Sequence, residues 1–169
     1  MRETDTHIYF WNGTYSQWEP STFIIEGVTY NCAEQYMMAE KARLFNDVQA
    51  YTDIMLSKSP SEQKAIGRKV QNFDPVKWNE VCRLVVYRAN LAKFSQNPVM
   101  LDELFDSEEK IIVEASPEDT IWGIGLHFSD DKVLDKKNWK GKNWLGEAIM
   151  QVRSDLTTIY KTLIEGLMS

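Results

Sequence analysis

A helix with two charged side chains on its apolar side is the feature that most limits how this chain can fold. Residues 32–45 predict that helix, because their apolar residues recur at helical spacing. At about 100° per residue, Glu34 and Lys41 lie near the centre of the apolar side, and Gln35 and Tyr36 lie on the opposite side. Removing water from either charge is costly unless it has a partner or lines a cleft. The pattern therefore predicts a central helix with ionisable groups at a functional site.

Two other interpretations of this helix stay open. In the first, Glu34 and Lys41 belong to a buried ion-pair network that has no catalytic role. In the second, the same face, together with Met37 and Met38, is a surface that binds a partner protein. The helical pattern alone does not separate these interpretations from a catalytic one.

The other segments predict a predominantly helical α+β fold with a few short strands. Aromatic and β-branched residues at 8–11 and 23–30 predict short strands, the second segment turning at Glu26-Gly27. No repeat or flexible linker interrupts the sequence, so we expect one domain over residues 1–169, with a core from about 9 to 157. Further helices are predicted from about Ser61 to residue 72, over 76–96, 99–105 and 143–165, with a buried strand over 111–113.

Composition narrows the function classes. The 169 residues include 19 Lys and Arg against 25 Asp and Glu, a net charge of −6, which disfavours general electrostatic binding along a nucleic acid. No apolar run approaches the ~20 residues that span a bilayer, and no secretory signal begins the sequence. Two cysteines fifty positions apart and two histidines predict neither a disulfide framework nor a zinc site. We therefore expect a cytoplasmic protein with no membrane partner and no metal.

Loops in the C-terminal half contain residues suited to a ligand. Trp122, Trp139 and Trp144 lie beside turn residues, where tryptophans often stack on a base or a sugar ring. The alternative is that these rings fold back onto the core. Residues 140–146 lie where the last predicted helix starts, and the exposed N–H groups there would favour an anion.

Several charged residues add candidates for binding or catalysis. Arg68 and Arg83 have forked donors that suit a phosphate group. Glu114 and Asp119 follow the predicted strand at 111–113, a common position for a catalytic or ribose-binding carboxylate. An ordinary solvated surface charge is the alternative for each of these four residues.

Taken together, these segments resemble the YbiA-like family, also called NADAR. The resemblance extends from about residue 9 to 157 and depends on the order of several short motifs. These are Ser16-Gln-Trp18, Ala33-Glu-Gln-Tyr-Met-Met-x-x-Lys-Ala42, Gly67-Arg68, Phe73-Asp74 with Trp78, Lys93-Phe94, Val113-Glu-Ala-Ser116, Asp119-x-x-Trp-Gly-x-Gly125, and Gly141-x-Asn-x-Leu-Gly146 through Arg153.

The resemblance implies an N-glycosidase that acts without a cofactor. Described members cleave the base–ribose bond of phosphoribosylamino-pyrimidine intermediates of riboflavin synthesis, or remove ADP-ribose from modified guanine. The implied partner is thus a small phosphoribosyl or ADP-ribosyl compound. Because the modified guanine can belong to a nucleic acid, ADP-ribosylated nucleic acid is a second implied partner. Many members have a histidine where this chain has Gln35. The oligomeric state is not indicated.

Position by position, the resemblance assigns catalysis to Glu34, Lys41 and Asp119. Glu34 is expected to act as general acid and base, and Lys41 either stabilises charge or attacks a ring-opened sugar to form a Schiff base. A module that binds ADP-ribose or NAD without catalysis remains the alternative. The expected substrate-binding residues are Trp18, Arg68, Trp78, Glu114, Trp122, Gly123, Lys140 and Asn143.

Overall fold

The computed structural model describes residues 1–168 and confirms the predominantly helical α+β class. Its helices are longer and more numerous than its strands. The strands are β1 (Arg2–Glu3), β2 (His7–Phe10), β3 (Phe23–Ile25), β4 (Val28–Tyr30) and β5 (Ile111–Glu114). The helices are α1 (Ala33–Leu44), α2 (Val48–Leu56), α3 (Pro60–Gly67), α4 (Pro75–Gln96), α5 (Pro98–Asp106) and α6 (Trp144–Met168), with short 3-10 helices at Asp131–Leu134 and Lys136–Asn138.

The chain forms two compact units. One is continuous and covers Gln17–Asn97, whereas the other joins Met1–Ser16 to the residues from Pro98 onward. We call them the helical unit and the sheet unit. One domain over residues 1–169 stays a prediction. None of the helices within residues 1–168 combines the length and the apolar character needed to cross a bilayer.

In the helical unit, α1 is the central element and packs against α2, α3 and α4. The first two turns of α1 are buried on every side, so Gln35 and Tyr36 are buried along with the predicted apolar face. The helical wheel places these two residues opposite the apolar face, and the structure shows that this side is covered as well. Met37 and Met38 are also buried, which contradicts a partner-binding surface formed by these methionines.

The buried amide of Gln35 ties α1 to the end of α2. Its Nε2 lies 3.1 Å from the carbonyl oxygen of Ile54 and 3.3 Å from that of Ser57. Its Oε1 accepts the backbone N–H of Asn31 at 2.7 Å. Gln63 also donates to the Ser57 carbonyl at 2.8 Å. These bonds satisfy backbone groups that would otherwise be buried without partners.

Helix ends in this unit follow local signals. Ser59 caps α3, which begins at Pro60, and Asp74 caps α4, whose predicted extent is confirmed. However, α3 ends at Gly67, several residues earlier than predicted, and Val70 beyond it is buried. The sequence analysis also did not identify α2, whose first turn is capped by Asp47.

A small sheet organises the sheet unit. β1 pairs antiparallel with β2, and β2 pairs parallel with β5, with His7 opposite Ile111 and Phe10 opposite Glu114. The predicted strand at 111–113 is thereby confirmed, and α6 packs against it. Its core contains Tyr9, Val113, Ala115, Ile124, Leu126 and Val133, with Phe128 and Trp139 packed against them.

Asn143 and nearby glycines fasten the loops of the sheet unit to β5. The Asn143 side chain accepts the Glu114 N–H at 2.9 Å and donates to the Ile112 carbonyl at 3.0 Å. A Cβ at Gly146 would lie 2.1 Å from the Ile112 carbonyl oxygen, and one at Gly141 would lie 2.2 Å from the Gly123 carbonyl oxygen. Only glycine, which has no Cβ atom, permits such close packing.

We expect Gly146→Ala to destabilise the protein by at least about 2 kcal/mol, because the new methyl group would overlap a backbone oxygen. Gly166→Ala is the matched control in the same helix, since a Cβ there meets nothing within 4 Å. This control should leave stability unchanged or raise it by up to about 1 kcal/mol. Urea unfolding at low micromolar concentration measures both changes, and equal effects would contradict the packing described.

Candidate active site

Glu34 is held in a buried position at the start of α1. It lies in the first turn of the helix and is only 5% exposed. Its backbone N–H donates to the Gln17 carbonyl at 3.0 Å. The Gln17 side chain accepts a hydrogen bond from Asn90 of α4 at 2.9 Å, and its Nε2 lies 3.9 Å from the Met37 sulfur. Gln17 therefore connects the start of α1, where Glu34 lies, to α4.

Lys41 lies two turns further along the same side of α1, packed against aromatic rings. Its Nζ is 4.2 Å from the centre of the Phe73 ring and 5.8 Å from that of Trp78. The first distance is a cation–π contact, which holds the ammonium group over the ring face. The lysine is half-buried, so Glu34 lies at the enclosed end of this side and Lys41 at a more open one.

The surroundings of Lys41 change its protonation. Burial lowers the pKa of Lys41 from its usual value, the carboxylate of Glu34 opposes this effect, and the positive charge of Arg68 lowers it further. An amine with a lowered pKa is neutral in a larger fraction of molecules at a given pH, and only the neutral form is a nucleophile. The interaction with Glu34 places both predicted catalytic groups in one electrostatic environment.

Phe73 is a site residue that the sequence analysis did not select. Its ring is 43% exposed, and Phe45 packs against it at 5.3 Å between ring centres. Trp78, which was predicted, is only 9% exposed, so Phe73 presents more aromatic surface. Phe73 stands between helices with no periodic pattern, and the only signal was its place in the Phe73-Asp74 motif.

Trp18 and Arg68 also lie in the helical unit. The Trp18 ring is 42% exposed, and the Nζ of Lys64 on α3 lies 5.8 Å from its centre. Arg68 follows α3 and is exposed, while its charge acts on Lys41. The structure thus provides an aromatic surface and exposed cations in the same unit as Glu34 and Lys41.

Lys93 is a second lysine of the helical unit whose environment changes its pKa. It is fully buried on α4, and its Nζ lies 5.3 Å from the Phe94 ring centre. Burial lowers the pKa of Lys93 to about 7, although Glu19 and Cys32 favour its charged form. The sequence analysis named it only within a motif, because the spacing of apolar residues on α4 does not distinguish a buried lysine from a surface one.

In the sheet unit, Asp119 organises the loop that contains Trp122. Its Oδ1 accepts the backbone N–H groups of Ile121 at 2.9 Å and Trp122 at 2.7 Å. The ring of Trp122 meets Trp144 edge-on at 5.9 Å. Trp139 instead packs on the core and donates to the Val133 carbonyl at 2.8 Å. Trp139 therefore follows the alternative in which a loop tryptophan folds back.

The start of α6 does not offer the anion site expected from its N–H groups. The backbone N–H groups of residues 142–145 donate to the carbonyl oxygens of residues 120, 123, 121 and 122 respectively, at 3.1 to 3.3 Å. These four donors are used within the unit, so the expectation that they are exposed to an anion was wrong. The sequence pattern could not reveal these partners, because they lie twenty or more residues away in the chain.

The remaining predicted residues lie around this loop. Gly123 is buried, and a Cβ there would be 2.8 Å from the Glu114 carbonyl oxygen. Glu114 is half-buried at the end of β5, and Lys140 is exposed. Direct roles for these residues and for Asn143 in substrate binding stay predictions. Among residues 1–168, no group of three or more His, Cys, Asp or Glu side chains is arranged to hold a metal ion.

Comparison with known proteins gives matches over most of the chain. The NADAR domain pattern matches residues 8–157. N-glycosidase R617 of Acanthamoeba polyphaga mimivirus is 39% identical over 166 residues, which cover 90% of this chain and 98% of that protein. N-glycosidase YbiA of Escherichia coli is 28% identical over 157 residues, covering 90% of this chain and 89% of that protein.

Two further matches concern the fold and a longer plant protein. The NMR structure of E. coli YbiA superposes with a TM-score of 0.77 at 26% identity, covering 94% of this chain and 89% of that one. The chloroplastic riboflavin biosynthesis protein PYRR of Zea mays is 33% identical over 135 residues. These cover 76% of this chain but 20% of that protein.

Two substitutions should move the pKa of Lys41 in opposite directions. Glu34→Gln removes the charge that favours the ammonium form, so the pKa of Lys41 should fall further. Arg68→Gln removes a like charge, so the pKa should rise. NMR titration of 13C-labelled lysine side chains measures both shifts. Shifts of the same sign would contradict the electrostatic environment described here.

Proposed function

Because this chain belongs to the NADAR domain family and is an N-glycosidase, we propose that it hydrolyses the ribose–base bond of a phosphate-bearing N-ribosyl compound. The proposed substrates are phosphoribosylamino-pyrimidine intermediates of riboflavin synthesis or an ADP-ribosylated guanine. The match to a plant riboflavin biosynthesis protein supports the first. The observation that carries the proposal is the pair of Glu34 and Lys41 on one side of α1, with the Lys41 amine against an aromatic ring.

Glu34 supplies the proton in the proposed reaction. The leaving base departs from C1 of the ribose more easily once its nitrogen is protonated, because the neutral amine or amide is the better leaving group. A carboxyl group in an enclosed environment suits this task. The hydrogen bond from the Glu34 backbone N–H to the Gln17 carbonyl oxygen holds the backbone of Glu34 in place. Removal of a proton from the attacking water returns Glu34 to its starting form.

Lys41 forms the covalent intermediate. When the C1–O4′ bond of the ribose breaks, O4′ takes a proton from Glu34 and C1 stays joined to the base nitrogen as an iminium ion, which the neutral Lys41 amine attacks. The Glu34 carboxylate takes the proton that Lys41 loses on attack and passes it to the departing base nitrogen. The C1–base bond breaks as the protonated base leaves, and C1 is then held by Lys41 as a Schiff base. Water adds to that carbon and releases the free aldehyde, which closes to ribose. The lowered pKa of Lys41 supports this role over a purely electrostatic one.

Other residues of the helical unit hold the substrate. Arg68 provides forked donors for the phosphate, and the exposed faces of Phe73 and Trp18 suit stacking on a ring. Roles for Asp119 and Trp122 in the same reaction remain part of the proposal, without a step assigned to either. A cytoplasmic location also stays a prediction; Cys32 and Cys82 are both buried and form no disulfide bond.

Glu34→Gln should reduce kcat by at least about a hundredfold, which is the usual contribution of general acid catalysis. Release of free base from each proposed substrate measures turnover, while calorimetry and thermal melting follow binding and folding. Glu40→Gln is the matched control, since Glu40 on the same helix pairs with Arg43 at 3.0 Å. Turnover of Glu34→Gln close to wild type would refute the assignment. Binding by the wild type with no base released from either substrate would favour a non-catalytic module.

Borohydride should trap the ribosyl group on Lys41 of the wild-type enzyme. Reduction converts a Schiff base into a stable secondary amine, so intact mass should increase by one reduced sugar and peptide mapping should locate it at Lys41. Lys41→Ala should give no adduct, whereas Lys58→Ala, at an exposed lysine of the same unit, should be labelled as the wild type is. Active wild-type enzyme without an adduct would overturn the covalent step.

A further inference from the structure

The second half of α6 carries an apolar stripe that faces solvent. We call it the tail stripe, and its residues are Ile159, Tyr160, Leu163, Ile164 and Leu167. Their exposures range from 40% at Tyr160 to 87% at Leu167. Isolated exposed apolar residues are ordinary, but five on one side of two and a half helical turns form a continuous patch.

The tail stripe continues the face by which α6 packs on its own unit. Ile149, Val152 and Leu156 are buried, and the apolar spacing of three and four residues runs on through Ile159 and Leu163. Tyr160 makes the last ring contact, meeting Phe105 of α5 at 5.6 Å. The NADAR domain pattern ends at residue 157, so the exposed stripe begins where the family-matched region stops.

We propose that the tail stripe is an interface between two copies of this chain, with their α6 helices antiparallel and crossing at Leu163. This arrangement places Ile159 of one copy opposite Leu167 of the other, and Tyr160 opposite Gly166. The largest residue of the stripe thereby meets a glycine whose Cβ position is open space. The stripe is complementary to itself, as a two-fold interface requires.

Charge favours a second copy over other occupants. Residues 157–167 contain one lysine and one glutamate, Lys161 and Glu165, and both lie off the stripe. Two neutral segments can approach each other although each whole chain carries a net charge of −6. A helix that lies on a membrane surface needs a polar face rich in lysine and arginine, which a single Lys161 does not provide.

The exposed area suffices for a weak but specific dimer. The five side chains are on average a little over half exposed. Side chains of this size then present on the order of 500 Å² per copy, or roughly 1,000 Å² for the pair. A specific interface requires about 1,000 Å², so association in the micromolar range is expected rather than a permanent dimer.

Sedimentation equilibrium of the full chain tests the association. Wild-type protein should shift from monomer to dimer between about 1 and 300 μM, the range expected of a small interface. Leu163→Glu should weaken dimerisation at least about thirtyfold, because it buries a charge at the crossing point. Leu167→Glu should do the same at the most exposed position, where folding is not at risk.

Thr158→Glu is the matched control, since it adds the same charge on the opposite face of α6 and should leave dimerisation unchanged. A wild-type protein that stays monomeric throughout this range would overturn the proposal. Dimerisation that survives both Leu163→Glu and Leu167→Glu would also overturn it, by locating the interface elsewhere.

Disulfide cross-linking tests the antiparallel orientation. A mixture of Ile159→Cys and Leu167→Cys proteins should form a linked heterodimer on mild oxidation. Neither variant should link to itself, because residue 159 lies about 12 Å along the helix from residue 167, beyond the ~7 Å between Cα atoms that a disulfide tolerates. The native Cys32 and Cys82 are buried and provide the unlinked background. Self-linking of Ile159→Cys would indicate parallel helices and overturn the proposed geometry.

Discussion

Burial of a carboxylate on the central helix is the constraint on which the helical unit depends. A charge deprived of water is tolerated only where surrounding groups are fixed around it, and Glu34 lies in a region where backbone and side-chain polar atoms are bonded to one another. Gln17 connects the start of α1 to Asn90 of α4. The same packing that encloses Glu34 leaves Lys41 at the more open end of the helix, against Phe73. Local packing therefore gives one side of α1 an enclosed acid and a more accessible amine.

The fold could be predicted where the signal is local. Three local signals predicted where an element begins, and the observed starts lie within a few residues of the predicted ones. These signals are Pro60 after a capping serine, Asp74-Pro75, and the apolar run at 111–113. Helix α2 was missed because only Ala50 and Ile54 are buried in it, too few to give a clear period. The burial of Gln35 and Tyr36 was not predicted, because a helical wheel shows which residues share a face but not that three other helices pack around α1.

The candidate site could be predicted in part for the same reason. Glu34 and Lys41 stand out because they break the apolar pattern of their own helix, which is visible in the sequence. Phe73 and Lys93 break no local pattern, and their significance comes from residues distant in the chain. The donors at the start of α6 are likewise used by a loop twenty residues away. The order of the motifs indicated the type of reaction, which the spacing of apolar residues did not. It did not indicate which residues each side chain contacts.

The amide at position 35 has a consequence for how this protein responds to acid. Its two donors and one acceptor serve the end of α2 and the turn before α1 at every pH. A histidine at that position would have one donor hydrogen fewer when neutral and would gain a charge on acidification. Because the carboxamide of Gln35 does not titrate, mild acid leaves the hydrogen bonds of this junction unaltered.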